Sequence, residues 1–259
     1  MSDFDRNYAA TRRFGADRAV AIDAGLRAHM IRVYNYMAAG LALTGLVALA
    51  TYALAVTGDP ASAVARAPGG IMLTSFGYAM FASPLRWVVI LAPLALVFFI
   101  SFRIGSLAAS TARTLFLVYA ASLGLSLGVL FLVYTYASIA KVFFITAASF
   151  GALSLWGYST QRDLTGFGSF LIMGLFGVII ASVVNIFLGS PGLDWVISVV
   201  GVIVFAGLTA WDTQKIKEMY EPMDDGTVAG RKAVMGALAL YLDFINMFLM
   251  LLRLFGDRR

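Results

Sequence analysis

The chain has 259 residues, 61% of them hydrophobic and 13% charged, with a mean hydropathy of +0.86. A water-soluble fold of this length has too little interior to hide so much apolar surface, which excludes a soluble domain, a disordered chain and a collagen, and leaves lipid as the solvent. The net charge of +5 comes from nineteen Lys and Arg scattered between apolar runs rather than gathered in a stripe, so no nucleic-acid partner is expected, and the absence of cysteine closes disulfide and thiolate-metal readings.

Residues 1–30 are polar and of mixed charge, with no apolar segment ahead of a small-residue cleavage site, and so read as a cytoplasmic tail rather than a secretory signal. From Ala16 the apolar positions Ala19, Ile22, Leu26, Met30 and Val33 fall at three- and four-residue spacing, which predicts an interfacial helix leading into the first span. Seven apolar runs follow within a membrane domain of residues 31–256, at 32–56, 87–103, 113–135, 139–158, 168–188, 194–212 and 233–254. Each is near the roughly 20 residues a bilayer core requires. The runs are continuously apolar rather than alternating, so helices and not a barrel satisfy their backbones.

Turn-forming residues punctuate the runs: Gly58-Asp59-Pro60, Pro68-Gly69-Gly70, Gly189-Ser190-Pro191-Gly192 and Glu221-Pro222. The third and fourth runs are so close that an antiparallel helical hairpin is expected. Segment 57–86 is the one long connection, with Ile71–Phe81 apolar enough to lie in the interface. Residues 257–259 form a short C-terminal tail. With the N-terminus inside, thirteen Lys and Arg fall on the inner side and six on the outer, which favours a cytoplasmic N-terminus and seven full crossings.

Ionisable groups at membrane depth point to function by default. Three qualify: Arg103 at the inner end of the second run, Asp212 at the inner end of the sixth, and Asp243 inside the seventh, with Asn185 and Asn246 as uncharged companions. Both aspartates sit in apolar surroundings with no basic residue expected on their own helix face. Enzymatic signals are weaker. Gly124-Leu125-Ser126-Leu127-Gly128 has the letters of a nucleophile elbow but lies mid-helix, and the only histidine, His29, precedes the first span. Its GxxxG spacing instead predicts close helix packing. No histidine cluster, last-span lysine or phosphate-cradling loop is present, so neither an enzyme nor a bound cofactor is expected.

Two stretches carry a resemblance. Phe205-Ala206-Gly207-Leu208-Thr209-Ala210-Trp211-Asp212-Thr213-Gln214-Lys215-Ile216 resembles the sixth-helix motif of the Bax inhibitor family, and Leu240-Tyr241-Leu242-Asp243-Phe244-Ile245-Asn246-Met247-Phe248 resembles its seventh. Lys141-Val142-Phe143-Phe144-Ile145-Thr146 is similar to the fourth helix of the bacterial branch. The resemblance implies an all-α membrane bundle of seven transmembrane helices with the last one central. It also implies a pH-sensitive calcium leak, and residence in the bacterial inner membrane. The family's aspartate pair falls on Asp212 and Asp243, and its partner arginine on Arg103.

Physical chemistry gives these positions a mechanism. Two carboxylates in a poorly solvated site share a proton and titrate as a unit. When deprotonated they offer calcium a transient oxygen site, with Arg103 favouring the ionised form. One geometric condition attaches: Asp243 lies about ten residues into the seventh run, roughly 15 Å along its axis. It meets Asp212 only if that helix begins above the inner surface or a cavity opens there. The alternative function is a non-transporting interaction protein that modulates a membrane protease or a stress regulator.

Overall fold

The computed structural model describes the backbone of residues 3–259 and the side chains of residues 23–259 apart from Pro68. The interfacial contacts expected of the tail before Asp23 lie outside the described residues. In chain order the helices are α1 (Asp3–Ala55), α2 (Ser75–Phe81), α3 (Leu85–Arg103), α4 (Ala109–Leu127), α5 (Leu130–Val133), α6 (Tyr136–Ser159), α7 (Thr165–Leu188), α8 (Pro191–Glu218) and α9 (Gly226–Phe255). A small hairpin, β1 (Ala65–Arg66) with β2 (Met72–Leu73), pairs antiparallel in the connection before α2. Among the described residues seven helical segments are long and apolar enough to span a bilayer, and each overlaps one of the seven apolar runs. The protein is an all-α membrane protein.

Helix α9 is the axis of the bundle. In its most apolar window 72% of residues are buried, against 11% in α3 and in α7, which places α9 inside and those two at the periphery. It packs on α1, α4, α6 and α8, while α3 leans on α4 and α7 on α8. Small residues on its inner half set these approaches: Gly230 faces the Cβ of Ala109, and a side chain at Gly236 would meet Ile216. Farther out, Leu240, Tyr241, Phe244, Met247 and Phe248 are buried on successive faces. The Tyr241 hydroxyl lies 2.6 Å from Thr44 Oγ1, whose own contacts with Gly40 O and Ala120 O tie α1, α4 and α9 together.

The GxxxG expectation is met at the α1–α4 crossing. A Cβ on Gly124 would sit 2.7 Å from Thr44 O and 2.8 Å from Val47 Cβ, so only glycine allows the helices this close. The expected hairpin of the third and fourth runs is corrected. α4 and α6 both pack on α9 rather than closely on each other. The C-terminal tail fills the outer end of that gap, with Thr135 N donating to Asp257 O (3.2 Å) and Arg259 N to Val133 O (2.9 Å). Segment 57–86 is also more ordered than a bare connection. Gly69 and Gly70, both at φ 78°, turn the hairpin, and Thr74 caps α2, its Oγ1 accepting from Gly77 N.

Two helices extend beyond the apolar runs 194–212 and 233–254. α8 continues six residues past Asp212 and α9 begins seven before position 233, because Thr213–Glu218 and Gly226–Lys232 are polar yet helical. Asp225 fixes the start of α9 by accepting from Thr227 N and Val228 N at 2.8 and 2.7 Å.

Candidate functional site

The antiparallel packing of α8 on α9 brings Asp212 and Asp243 side by side. Asp243 is 4% exposed, and its Oδ2 has no hydrogen-bond partner. Both line a cavity of about 690 Å³ bounded by α3, α7, α8 and α9, whose other polar members are Ser101, Ser182 and Asn246. Of the two conditions on their meeting, the cavity is the one that holds. α9 starts lower than expected, not higher: Asp243 is seventeen residues, about 25 Å, above its first residue. Asp212 lies six residues, about 9 Å, before the last residue of α8.

Arg103 requires a correction. It is exposed at the last residue of α3 and forms no ion pair with either aspartate, whereas Val97, Phe98 and Ser101 of the same helix line the cavity. The ion pairs among the described residues are Lys232–Asp224 (2.6 Å) and Arg253–Asp194 (3.4 Å), both away from the site. The basic residue nearest in sequence to Asp212 is Lys215, one turn later on α8, its Nζ 4.9 Å from the centre of the Trp211 ring. Asp212 thus does have a cation on its own helix, contrary to expectation, and the i to i+3 spacing was the available signal.

The asparagines divide. Asn246 lines the cavity and donates from Nδ2 to Leu242 O at 2.8 Å. Asn185 lies at the C-terminal end of α7, where its Oδ1 accepts from Ser190 N (3.0 Å) and closes the turn through Gly189 at φ 59°. It shapes a helix end and faces a separate outer pocket.

The rest of the sixth-helix motif holds Asp212 in place. Thr213 Oγ1 donates to Thr209 O (2.7 Å) and so accepts from Ser154, which lies 2.9 Å away and accepts in turn from Tyr34 OH at 2.6 Å. This chain links α1, α6 and α8 beneath the pair. Gln214 pins the α6–α7 loop, accepting from Leu164 N and donating to Arg162 O, both at 2.8 Å. Lys217 Nζ donates to Tyr158 O at 2.9 Å, at the end of α6. Trp211 lies against Gly168 of α7. Sequence analysis missed this hydroxyl chain, although Thr209 and Thr213 at i and i+4 share a face. His29, on α1, is buried, its ring 5.8 Å from that of Tyr220 and its Nε2 without a partner.

Residues 26–259 match the family model described as inhibitor of apoptosis-promoting Bax1. The chain belongs to the Bax inhibitor family. It is 47% identical over 246 residues to the inner membrane protein YbhL of Escherichia coli, covering 94% of this chain and 97% of that one. An uncharacterized protein of Rickettsia prowazekii is 45% identical over the whole of both chains, and one of Caulobacter vibrioides 43%.

Proposed function

We propose that this protein is a calcium leak of the bacterial inner membrane whose activity depends on pH through Asp212 and Asp243, and that it works without catalysing a reaction or holding a resident cofactor. The observation that carries the proposal is that Asp212 and Asp243, from two different helices, line one cavity side by side, with Asp243 almost wholly buried. Calcium takes six to eight oxygen ligands in a resident site. Among the described residues no group of three or more possible acidic, histidine or cysteine ligands exists. Two carboxylates with the Asn246 amide oxygen suit a passing ion and not a stored one.

Protons and calcium compete for the same oxygens. Deprotonation supplies the negative charge the cation needs, and it places like charges on α8 and α9 where the helices touch. Proton occupancy thereby sets both the attraction for the ion and the force between the central helix and its neighbour. The N-terminus is assigned to the cytoplasm by the distribution of Lys and Arg.

The test is calcium entry into proteoliposomes loaded with a calcium dye, measured at two pH values. Entry above protein-free vesicles that changes with pH supports the proposal. Vesicles as tight as the controls at both values would overturn it and favour the non-transporting alternative, a membrane protein that modulates a membrane partner.

A further inference from the structure

The cavity at the aspartates has a second property that ion passage does not need. Its outer wall is the gap between α3 and α7, the two peripheral helices, which are not packed closely on one another. Along α7 the wall is apolar at Ile172, Ile179, Val183 and Ile186, spaced to fall on one helix face and all open to the surroundings. From Ile172 to Ile186 is fourteen residues, a strip of about 21 Å. No lysine, arginine or histidine lines the cavity, and its acidic members are Asp212 and Asp243. This is an apolar slot open to the hydrocarbon of the bilayer, with an acidic end.

We propose that the slot binds a lipophilic ammonium: a single-chain amine dissolved in the membrane, its cationic head at Asp212 and Asp243 and its chain along α7. Charge selects the head. A carboxylate lining the cavity gains a charge-assisted hydrogen bond from N–H, which an alcohol supplies weakly and a carboxylate not at all. Asn246 adds an acceptor, because its amide N–H is already given to Leu242 O while its oxygen is not. The apolar strip selects the tail, since a small hydrophilic ammonium buries nothing against it. The site is new relative to calcium passage, and it is tested without measuring flux.

The experiment is thermal unfolding of the purified full chain in a neutral maltoside detergent, titrated with n-dodecylamine, n-dodecanol, dodecanoate or tetramethylammonium. The expected result is a saturable rise in the unfolding midpoint with the amine alone. Asp243→Asn should weaken the apparent amine affinity about tenfold or more, as for loss of a hydrogen bond to a charged group. Val183→Trp places a bulky ring in the slot at a residue 50% exposed, leaves the acids untouched, and should also abolish the amine effect. It decides the matter should the Asp243 variant fail to fold. Equal stabilisation by dodecanol, no saturable effect of the amine, or an undiminished effect in Val183→Trp would each overturn the proposal.

Discussion

Replacing Asp243 by asparagine separates the charge of the site from its shape. The amide has nearly the volume of the acid and puts a fixed N–H donor against Asp212, where the acid offers one only when protonated. Asp243 is buried at 4% exposure with Oδ2 unpartnered, so the exchange opens no cavity and breaks no existing bond of that atom. A hydrogen bond to a charged group contributes about 1.5–3 kcal/mol, and the contact between the introduced amide and the Asp212 carboxylate takes that form. The variant should therefore unfold at or above the wild-type temperature at neutral pH. Calcium responds in the opposite direction. Loss of one of two carboxylates removes a charged ligand of the same order, about 1.5–3 kcal/mol, which weakens calcium by about ten- to a hundredfold. The assay is calcium flux into proteoliposomes across a pH series, paired with a thermal midpoint for each protein. Wild type should take up calcium more tightly as pH rises, because the ion displaces a proton. Asp243→Asn should be weaker throughout and flatter with pH. A folded Asp243→Asn protein with wild-type flux and an unchanged pH profile would refute the mechanism, and Asp212→Asn must agree with it.

Three further outcomes follow from the packing. Arg103→Lys and Arg103→Ala should leave flux and its pH profile within error of wild type, since the guanidinium is exposed and unpaired with the aspartates among the described residues; a changed profile in Arg103→Ala would restore it to the site. Gly124→Ala should lower the unfolding midpoint through overpacking of about 1–3 kcal/mol against Thr44 and Val47, only partly offset by better helix propensity. Gly45→Ala, with nothing within 4 Å, should raise it slightly, and equal effects at the two glycines would refute the packing argument. Reporter fusions in the loop after Ser159 should read cytoplasmic and those after Gly189 external, and the reverse pattern would overturn the orientation.

The spans and the aspartates were legible in the sequence for one reason: both are one-dimensional signals. An apolar run of the right length reports a crossing, and a carboxylate inside a run is conspicuous wherever the helix later turns. Helix ends at the inner side were not legible, because apolarity stops at Asp212 while hydrogen-bonded helix continues to Glu218. The azimuth of α3 was not legible either. Its residues are apolar on every side, with Val97 and Phe98 facing the cavity while Phe102 is 83% exposed. Nothing in such a sequence says which way the arginine at its end points. The polar chain through Tyr34, Ser154 and Thr213 joins three helices far apart in sequence, and only the packing brings its members together.

The displacement of Arg103 changes the electrostatics of the site more than its shape. With the guanidinium at hand, the carboxylates would have an internal counter-ion, and opening would require that pair to break. Without it, the basic residue closest along α8 is Lys215, which is exposed and drawn over Trp211 about one turn from Asp212. The repulsion between Asp212 and Asp243 is then answered by little within the described bundle. In a poorly solvated cavity that imbalance has two remedies: a proton held between the carboxyls, or a cation brought from outside. The outer gap between α3 and α7 admits such a cation from the bilayer, and deprotonation strengthens the pull on one from water. The proposed proton-sensitive calcium path and the proposed slot for lipophilic amines therefore rest on one arrangement, an acidic pair whose counter-charge must be supplied by something that binds.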